Sequence, residues 1–353
     1  ALKLVDTGLQ FVSPRGKISR PSPGKALIDG RKLDVGLDAE RSARLNPRRL
    51  HSRFWQDLGT TPLGRPFPSY LRTADLAHAH LKSVWEADGS NAGEVIVAVP
   101  GFYSDDQLAL FLGIARELGI PVRGLIDAAV AAAADRELEP NALHLDLHLH
   151  RAVLTELDHG EEIVRRNVRT ESRVGVLALR DIWARTVART FVRATRFDPL
   201  HVAATEQVLY DQLAGHLEVL AEKETTEVRI SAGGRHHAVE LDRSRIVDAA
   251  IPSYDTLASL VNDHAPPDGA TLLLSHRTAT LPGLVEHLDE HTDFEVVTLQ
   301  PVDAASGALA HADRIRSPDL ALPLITRLPG LDARPPGPVT IPVAPPPDGE
   351  RRL

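Results

Sequence analysis

The 353-residue sequence contains no cysteine and no methionine. Because cysteine is absent, disulfide bonds, thiolate metal ligands and a cysteine nucleophile are excluded. No apolar run approaches the roughly 20 residues that a membrane-spanning helix needs, and no signal-peptide pattern is found at the start. The net charge of −8 argues against nucleic-acid binding and against a basic membrane-surface role. We therefore expect a cytoplasmic protein with no membrane or nucleic-acid partner.

The composition, with 43% apolar and 25% charged residues, is that of a globular protein large enough for two lobes. Strand-like and helix-like segments alternate along the block Glu94–Leu154. Val95–Val99 is apolar without helical periodicity, which predicts a strand covered on both faces. Ser104 is placed to cap a helix that Gly119 ends, before Ile120–Leu125 returns as a strand. These segments predict an α/β fold.

The stretch Asn141–His150 alternates strictly between polar and apolar residues, which predicts a strand with one polar face. That face carries His144, Asp146, His148 and His150. Neighbours on one face of a strand are roughly 7 Å apart, too far for two ligands of one ion. A metal site would need a residue from across a cleft, either Asp6 or Asp127, and the candidate ligands are Asp6, Asp146 and His148. The alternative is that these side chains hydrogen-bond to each other and to water.

Segments outside this block have simpler interpretations. His78 and His80 are expected to be exposed on a helix, and Trp55 is expected to be a packing residue. Pro329–Leu353 is rich in proline and glycine, which predicts an extended or disordered tail. As an alternative, Val339–Val343 within it would pair with a sheet edge.

Several segments, taken in order, resemble those of one known family. Ala98–Ile120 (AVPGFYSDDQLALFLGIARELGI) resembles its strand–Pro–aromatic–Asp–Gln helix, and Ile126–Ala134 (IDAAVAAAA) resembles its Asn-Glu-Pro-Thr-Ala-Ala-Ala connecting helix. Further resembling segments are Leu33–Pro47, Glu227–Asp248, Leu272–Leu284 and Pro301–Ala312. The family is the nucleotide-binding domain of the 70-kilodalton heat-shock (DnaK-type) chaperones, in the actin-like ATPase superfamily. The resemblance covers about residues 2–316 and does not extend to the chaperones' peptide-binding domain.

This resemblance implies an actin-like (ribonuclease H-like) duplicated α/β fold with two lobes around a central cleft. Lobe I would comprise residues 1–168, with residues 301–328 returning to it. Lobe II would comprise residues 169–300, and residues 329–353 would form the tail.

The resemblance also implies where a nucleotide site would lie. In the family, MgATP lies between two hairpin loops whose glycines let backbone N–H groups approach phosphate closely. In the first loop Asp6 and Gly8 match the family, but the two threonine positions that follow are Leu9 and Gln10. In the second loop, the Asp146 position matches, while the glycine-rich run after it is Leu147–Arg151.

Other positions of the family's site also carry different residues. Its catalytic lysine falls near Trp55, with Arg53 as a misplaced cation, and its catalytic glutamate aligns with Ala128. Its two adenosine-clamping residues align with Ala214 and roughly with Leu217. Its nucleobase-contacting Gly-Gly corresponds to His276 and Arg277. The residues expected to line this degenerate cleft are Asp6, Gly8, Asp146, His148, His150, Arg151, His276 and Arg277.

Phosphoryl transfer depends on positioning and charge stabilisation, so losing the lysine, the glutamate and the glycines removes most of the catalysis. The sequence therefore predicts a pseudo-ATPase without a cofactor, serving as a non-hydrolysing binding or regulatory scaffold for a protein partner. The runner-up is a weak ATP- or ADP-binding protein that uses Mg²⁺ with Asp6, Asp146 and Arg151. A third hypothesis is a metal-binding protein or metal-dependent enzyme built on the histidine-rich strand.

Overall fold

The computed structural model describes residues 1–317 and 323–330 of the chain. The strands are β1 (Leu2–Lys3), β2 (Gln10–Phe11), β3 (Ala26–Asp29), β4 (Lys32–Val35), β5 (Leu50–His51), β6 (Val95–Val99), β7 (Val122–Asp127), β8 (Asn141–Leu147), β9 (Ala152–His159), β10 (Glu162–Glu171), β11 (Thr225–Ala232), β12 (Arg235–Asp242), β13 (Thr271–Leu274), β14 (Glu295–Thr298), β15 (Leu324–Ile325) and β16 (Arg327–Pro329). The α-helices are α1 (Leu37–Glu40), α2 (Thr73–Val84), α3 (Asp105–Glu117), α4 (Ala128–Ala133), α5 (Val176–Thr195), α6 (Ala203–Glu222), α7 (Arg243–Asn262), α8 (His276–Ala279), α9 (Leu284–His291), α10 (Asp303–Ala310) and α11 (Ala312–Ile315). None of the helices in this described part is long and apolar enough to cross a membrane.

Two mixed sheets share part of their strand arrangement. The first has the order β15-β7-β6-β1-β2, in which β2 is antiparallel and the other strands are parallel. The second has the order β14-β13-β8-β9-β10-β16, in which β14, β13 and β8 are parallel and the remaining pairs are antiparallel. In both sheets, the strand that opens a hairpin (β1 or β8) is followed by two parallel strands (β6 and β7, or β13 and β14). The expected α/β class is confirmed, as a mixed α/β protein with several sheets.

The central block follows its local signals closely. β6 spans Val95–Val99 and is buried along its whole length. α3 begins after Ser104, whose Oγ accepts a hydrogen bond from the Gln107 N–H at 3.3 Å. Gly119 follows the helix with a φ of 68°, a conformation that favours glycine. β7 begins two residues later than the expected strand at Ile120–Leu125.

A layer of small residues connects the two sheets. α4 and α10 approach so closely that a Cβ atom at Gly307 would lie 1.9 Å from the Ala131 carbonyl oxygen. Only glycine fits there. The same buried cluster contains Ile96 and Ile126 from the first sheet and Leu273 from the second.

The expected division into lobes stays a prediction, and the strands show how the chain passes between the two sheets. β8, β9 and β10 belong to the second sheet, and the expected boundary at residues 168/169 falls inside β10. After α10, β15 pairs with β7 in the first sheet, and β16 pairs with β10 in the second. Pro329, where the predicted tail begins, ends β16 opposite Glu162. The rest of that prediction, including Val339–Val343, lies outside the described residues.

The prediction that His80 is exposed is wrong. His80 is fully buried, with its Nδ1 accepting a hydrogen bond from Trp55 Nε1 at 2.9 Å and its Nε2 lying 2.8 Å from Ser22 Oγ. On α2 it follows Leu76 by four residues and precedes Leu81, so it belongs to the buried stripe. Trp55 is 1% exposed, which confirms its packing role.

The burial of His80 predicts a specific acid sensitivity. Burial lowers the pKa of His80 to about 3, whereas an unfolded histidine titrates near 6.5. The unfolded state therefore binds more protons between these values, and the free energy of unfolding falls as the pH falls from 6.5 towards 3. In this pH range, His80 lowers the free energy of unfolding by roughly 1.4 kcal/mol for each unit by which the pH falls. Urea denaturation between pH 7 and 4.5 should show a flatter pH dependence for His80→Gln than for the wild type.

The matched control is His78→Gln, on the same helix, where the imidazole is partly exposed and lies 3.5 Å from Glu117. This variant should keep the wild-type dependence on pH. A His80→Gln protein with the wild-type slope would show that another group causes the acid sensitivity.

Candidate functional site

The loops of two hairpins meet through one buried carboxylate. The first loop (residues 4–9) joins β1 to β2, and the second (residues 148–151) joins β8 to β9. Asp6 Oδ1 accepts a hydrogen bond from the Leu149 N–H at 3.1 Å and lies 3.0 Å from His148 Nδ1. Asp6 and His148 are only 4% and 1% exposed. The polar groups of the two loops therefore bind each other.

A second carboxylate, Asp146 near the end of β8, is bound by Arg277. The guanidinium donates from Nε to Oδ1 at 2.9 Å and from Nη2 to Oδ2 at 3.0 Å, a bidentate geometry that arginine favours. Its Nη1 donates to Thr7 Oγ1 in the first loop. One guanidinium thus connects β8, the segment after β13 and the first hairpin loop.

The segment that carries Arg277 is held by short polar side chains. Ser275 Oγ donates to Asp146 Oδ1 at 2.5 Å and lies 2.8 Å from Thr278 Oγ1. Thr278 Oγ1 also accepts a hydrogen bond from the Leu147 N–H at 3.1 Å. These contacts attach α8 to the end of β8, which fixes the direction of the Arg277 side chain. Thr7, Ser275 and Thr278 were not expected in the site, because their role depends on neighbours far away in the sequence.

The buried carboxylates of this cluster stay ionised. Burial alone would raise the pKa of Asp146, but the Arg277 guanidinium and then His148 outweigh it and hold the pKa well below the usual range. Burial would likewise raise the pKa of Asp6, but His148 and the Leu149 N–H lower it. Burial and the neighbouring Arg277 also lower the pKa of Lys3, to about 8. The cluster is therefore a set of charges that largely compensate one another.

Four of the residues predicted for the cleft come together in this cluster: Asp6, Asp146, His148 and Arg277. Gly8 packs so closely against Pro21 that a Cβ atom at Gly8 would lie only 2.7 Å from the Pro21 Cβ. The Arg151 guanidinium lies 4.8 Å above the Phe102 ring, and His276 lines a neighbouring cavity.

The predicted strand Asn141–His150 is too long. β8 ends at Leu147, because the His148 N–H donates to the Arg151 carbonyl at 2.8 Å and closes the hairpin turn. His150 therefore leaves the common face, and its Nε2 lies 3.0 Å from Ser52 Oγ. Asp127, the other candidate partner, caps α4 through two backbone N–H groups and pairs with Arg165 at 2.9 Å.

The candidate metal ligands are already bound by protein groups. Within residues 1–317 and 323–330, no group of three or more His, Asp or Glu side chains is placed to hold a metal ion. The two ring nitrogens of His148 lie 3.0 Å from Asp6 and 3.7 Å from Asp146, and Arg277 binds both oxygens of Asp146. Asp6 Oδ2, however, is buried without a hydrogen-bond partner. The set Asp6, Asp146 and His148 stays a prediction.

Next to the cluster lies a cavity of about 580 Å³, here called the cleft cavity. It is bounded by the first hairpin loop, α1, α5, α6 and residues 276–281. Leu179, Trp183 and Leu217 form part of an apolar wall. Its volume falls within the range of small-molecule sites in proteins.

Ion pairs across the cleft close one side of this cavity. Glu40 Oε1 accepts from Lys25 Nζ at 2.9 Å and from Arg180 Nη1 at 3.2 Å, and both Glu40 and Arg180 line the cavity. Farther out, Arg44 pairs with Asp181 at 2.7 Å and lies 3.5 Å above the Tyr210 ring. The segment around α1 is thereby attached to α5 and α6.

No protein-family model matches this chain, and a search of curated proteins finds no similar sequence. The functional interpretation therefore depends on the residues and their geometry.

The pairing of Arg277 with Asp146 predicts strong coupling between the two. Their side chains are 22% and 14% exposed, and removal of one partner leaves a largely buried charge uncompensated. Arg277→Gln should lower the free energy of unfolding at pH 7 by roughly 3 kcal/mol. The double variant with Asp146→Asn should lose clearly less than the sum of the single variants, as measured in a double-mutant cycle by urea denaturation.

The same pair predicts a pH dependence. Because the pKa of Asp146 is depressed in the folded state, its contribution is present above the unfolded value near 4 and is lost as the pH falls below it. The difference between wild type and Arg277→Gln should therefore shrink below about pH 4. Arg245→Gln, which breaks the exposed pair with Asp242, is the matched control and should change stability by less than about 1 kcal/mol. Additive single-variant effects at pH 7 would contradict the proposed coupling.

Proposed function

We propose that this protein is a pseudo-ATPase of the heat-shock-chaperone type, which serves as a non-hydrolysing binding or regulatory scaffold for a protein partner. The observation that carries the proposal is the Arg277 guanidinium bound between Thr7 and Asp146. It is a cation of the protein itself, positioned between the two loops that hold MgATP in the family resembled.

The repeated strand order supports the actin-like part of this proposal. A hairpin strand followed by two parallel strands occurs in each sheet, with α3 connecting β6 to β7 and α9 connecting β13 to β14. Such a repeat is expected of a duplicated fold with a cleft between its halves. Because one fold hosts many functions, the site residues decide between them.

The site residues do not fit MgATP. Phosphate binding by hairpin loops needs free backbone N–H groups, but the Leu149 N–H donates to Asp6 and the His148 N–H donates to the Arg151 carbonyl. A magnesium ion needs carboxylate oxygens, but Arg277 binds both oxygens of Asp146. The charges that a metal–phosphate complex would balance are therefore compensated within the protein.

The positions that resemble the family's catalytic residues also lack the required groups. Trp55 replaces the lysine and is fully buried, with its indole N–H bound to His80. Ala128 replaces the glutamate, and the carboxylate of its neighbour Asp127 is used by α4 and Arg165. These two positions therefore supply neither the lysine nor the glutamate that hydrolysis uses in the family resembled.

One observation favours the runner-up, a weak ATP- or ADP-binding protein with Mg²⁺. Asp6 Oδ2 is buried without a hydrogen-bond partner, and a carboxylate oxygen of this kind is a ligand that Mg²⁺ accepts. The proposal and the runner-up therefore make opposite predictions for nucleotide titration.

Titration with MgATP and MgADP should give no heat of binding and no shift in thermal unfolding at 1 mM. A dissociation constant of about 10 μM would instead stabilise the protein by about 2.7 kcal/mol at that concentration. Binding at this affinity or tighter, together with turnover that Asp146→Ala abolishes, would overturn the proposal. A copurified protein partner should stay bound in 1 mM MgATP, because the scaffold has no nucleotide cycle to release it. Release of that partner by MgATP would count equally against the proposal.

A further inference from the structure

The cleft cavity has the features of a ligand site, namely a volume of about 580 Å³, apolar walls and an excess of cationic side chains. We propose that it binds a small organic anion with an apolar body, whose charged group lies at Lys3. This inference goes beyond the scaffold role and does not depend on it. The absence of MgATP binding would support the scaffold role without deciding whether the cavity binds an organic anion.

The charge of the cavity lining is opposite to that of the whole protein. Four cationic side chains, Lys3, Arg20, Arg180 and Arg277, face two carboxylates, Glu40 and Glu218. The chain as a whole has a net charge of −8. A cavity with an excess of cations in an acidic protein favours an anionic occupant.

Two of the four cations already have ion-pair partners, and of the other two Arg20 is exposed, which leaves Lys3 as the more buried cation available for a ligand. Arg277 is bound to Asp146, and Arg180 to Glu40. Lys3 Nζ donates to the Pro301 carbonyl at 3.3 Å, and the described residues supply no ion pair for it. An ammonium group has three donors, so Lys3 can still bind an anion.

The charged groups around Lys3 make this position selective for the sign of a ligand's charge. Arg277 repels the ammonium, while Asp146 and Asp303 attract it, and burial disfavours its charge. The neighbouring His276 imidazole lies within the electrostatic influence of Lys3, Arg277, Asp303 and Glu218. An anion placed at Lys3 would pair directly with its ammonium group, whereas a cation would be repelled by it.

The remainder of the cavity calls for an apolar body. Leu149, Val176, Leu179 and Leu217 line it, together with Ala214 at the position that resembles an adenosine clamp. Apolar walls with a few charged groups are typical of sites for small organic ligands. The volume of about 580 Å³ accommodates a molecule of this kind.

The test uses three probes with the same ten-carbon chain below their micelle concentrations: decanoate, decanol and decyltrimethylammonium. Isothermal titration calorimetry should detect decanoate binding, with decanol weaker by about tenfold or more and no binding of the cation. Lys3→Gln should weaken decanoate by about 10- to 100-fold, because a hydrogen bond to a charged group is lost. Lys82→Gln, which removes an exposed lysine from α2, is the matched control and should bind normally.

A second variant tests the location of the decanoate site without changing the charge of the cavity lining. Ala214→Trp should fill the cavity and abolish decanoate binding, whereas Ala204→Trp, at an exposed position of the same helix, should not. Circular dichroism establishes that each variant is folded. Equal binding of decanoate and decanol, unchanged binding by Ala214→Trp, or no binding of decanoate at 1 mM would each overturn the proposal. Binding of MgATP in the same assay would instead contradict the pseudo-ATPase function.

Discussion

The bidentate ion pair between Arg277 and Asp146 is the interaction on which the rest of the site depends. A carboxylate at this depth needs a partner, since an unpaired buried charge is strongly unfavourable. Arg277 supplies that partner and, by also binding Thr7, attaches the first hairpin loop to the second sheet. The same junction contains Asp6, whose oxygen binds the Leu149 N–H. The two loops are therefore held by the protein's own charges, with no need for a bound ligand.

This internal network separates two electrostatic environments. Around Asp6 and Asp146, His148 and Arg277 bind the carboxylates from within the protein, and in the described part of the chain only Asp6 Oδ2 is buried there without a hydrogen-bond partner. In the cleft cavity beside them, cations outnumber carboxylates, and Lys3 has no ion pair among the described residues. A loop junction closed by internal hydrogen bonds is thus compatible with a separate anion site beside it. Arg277 contributes to both, because it pairs with Asp146 and also lines the cavity.

Local sequence signals predicted much of the fold, whereas contacts between residues far apart in the sequence could largely not be predicted. β6 and the start of α3 followed from an apolar run and from the Ser104 cap, because both are decided by neighbouring residues. The end of β8 at Leu147 was missed, since its turn contains no glycine, proline or asparagine to signal it. The burial of His80 was readable from its spacing to Leu76, but the polarity of histidine was given more weight. The partner of Asp146 lies 131 residues away and could not be inferred from spacing.

The site also depends on a packing constraint far from its charges. Asp6 and Leu149 belong to hairpins on different sheets, so the hydrogen bond between them requires a defined separation of those sheets. The small-residue layer of α4 and α10 sets this separation, because Gly307 allows the two helices to meet at the Ala131 carbonyl. A side chain at Gly307 would move α10 away from α4, and α10 also packs against β1, the strand that leads to Asp6. The alanine- and glycine-rich helices therefore serve the charged cluster by controlling distance, although none of their side chains hydrogen-bonds to Asp6, Asp146 or Arg277.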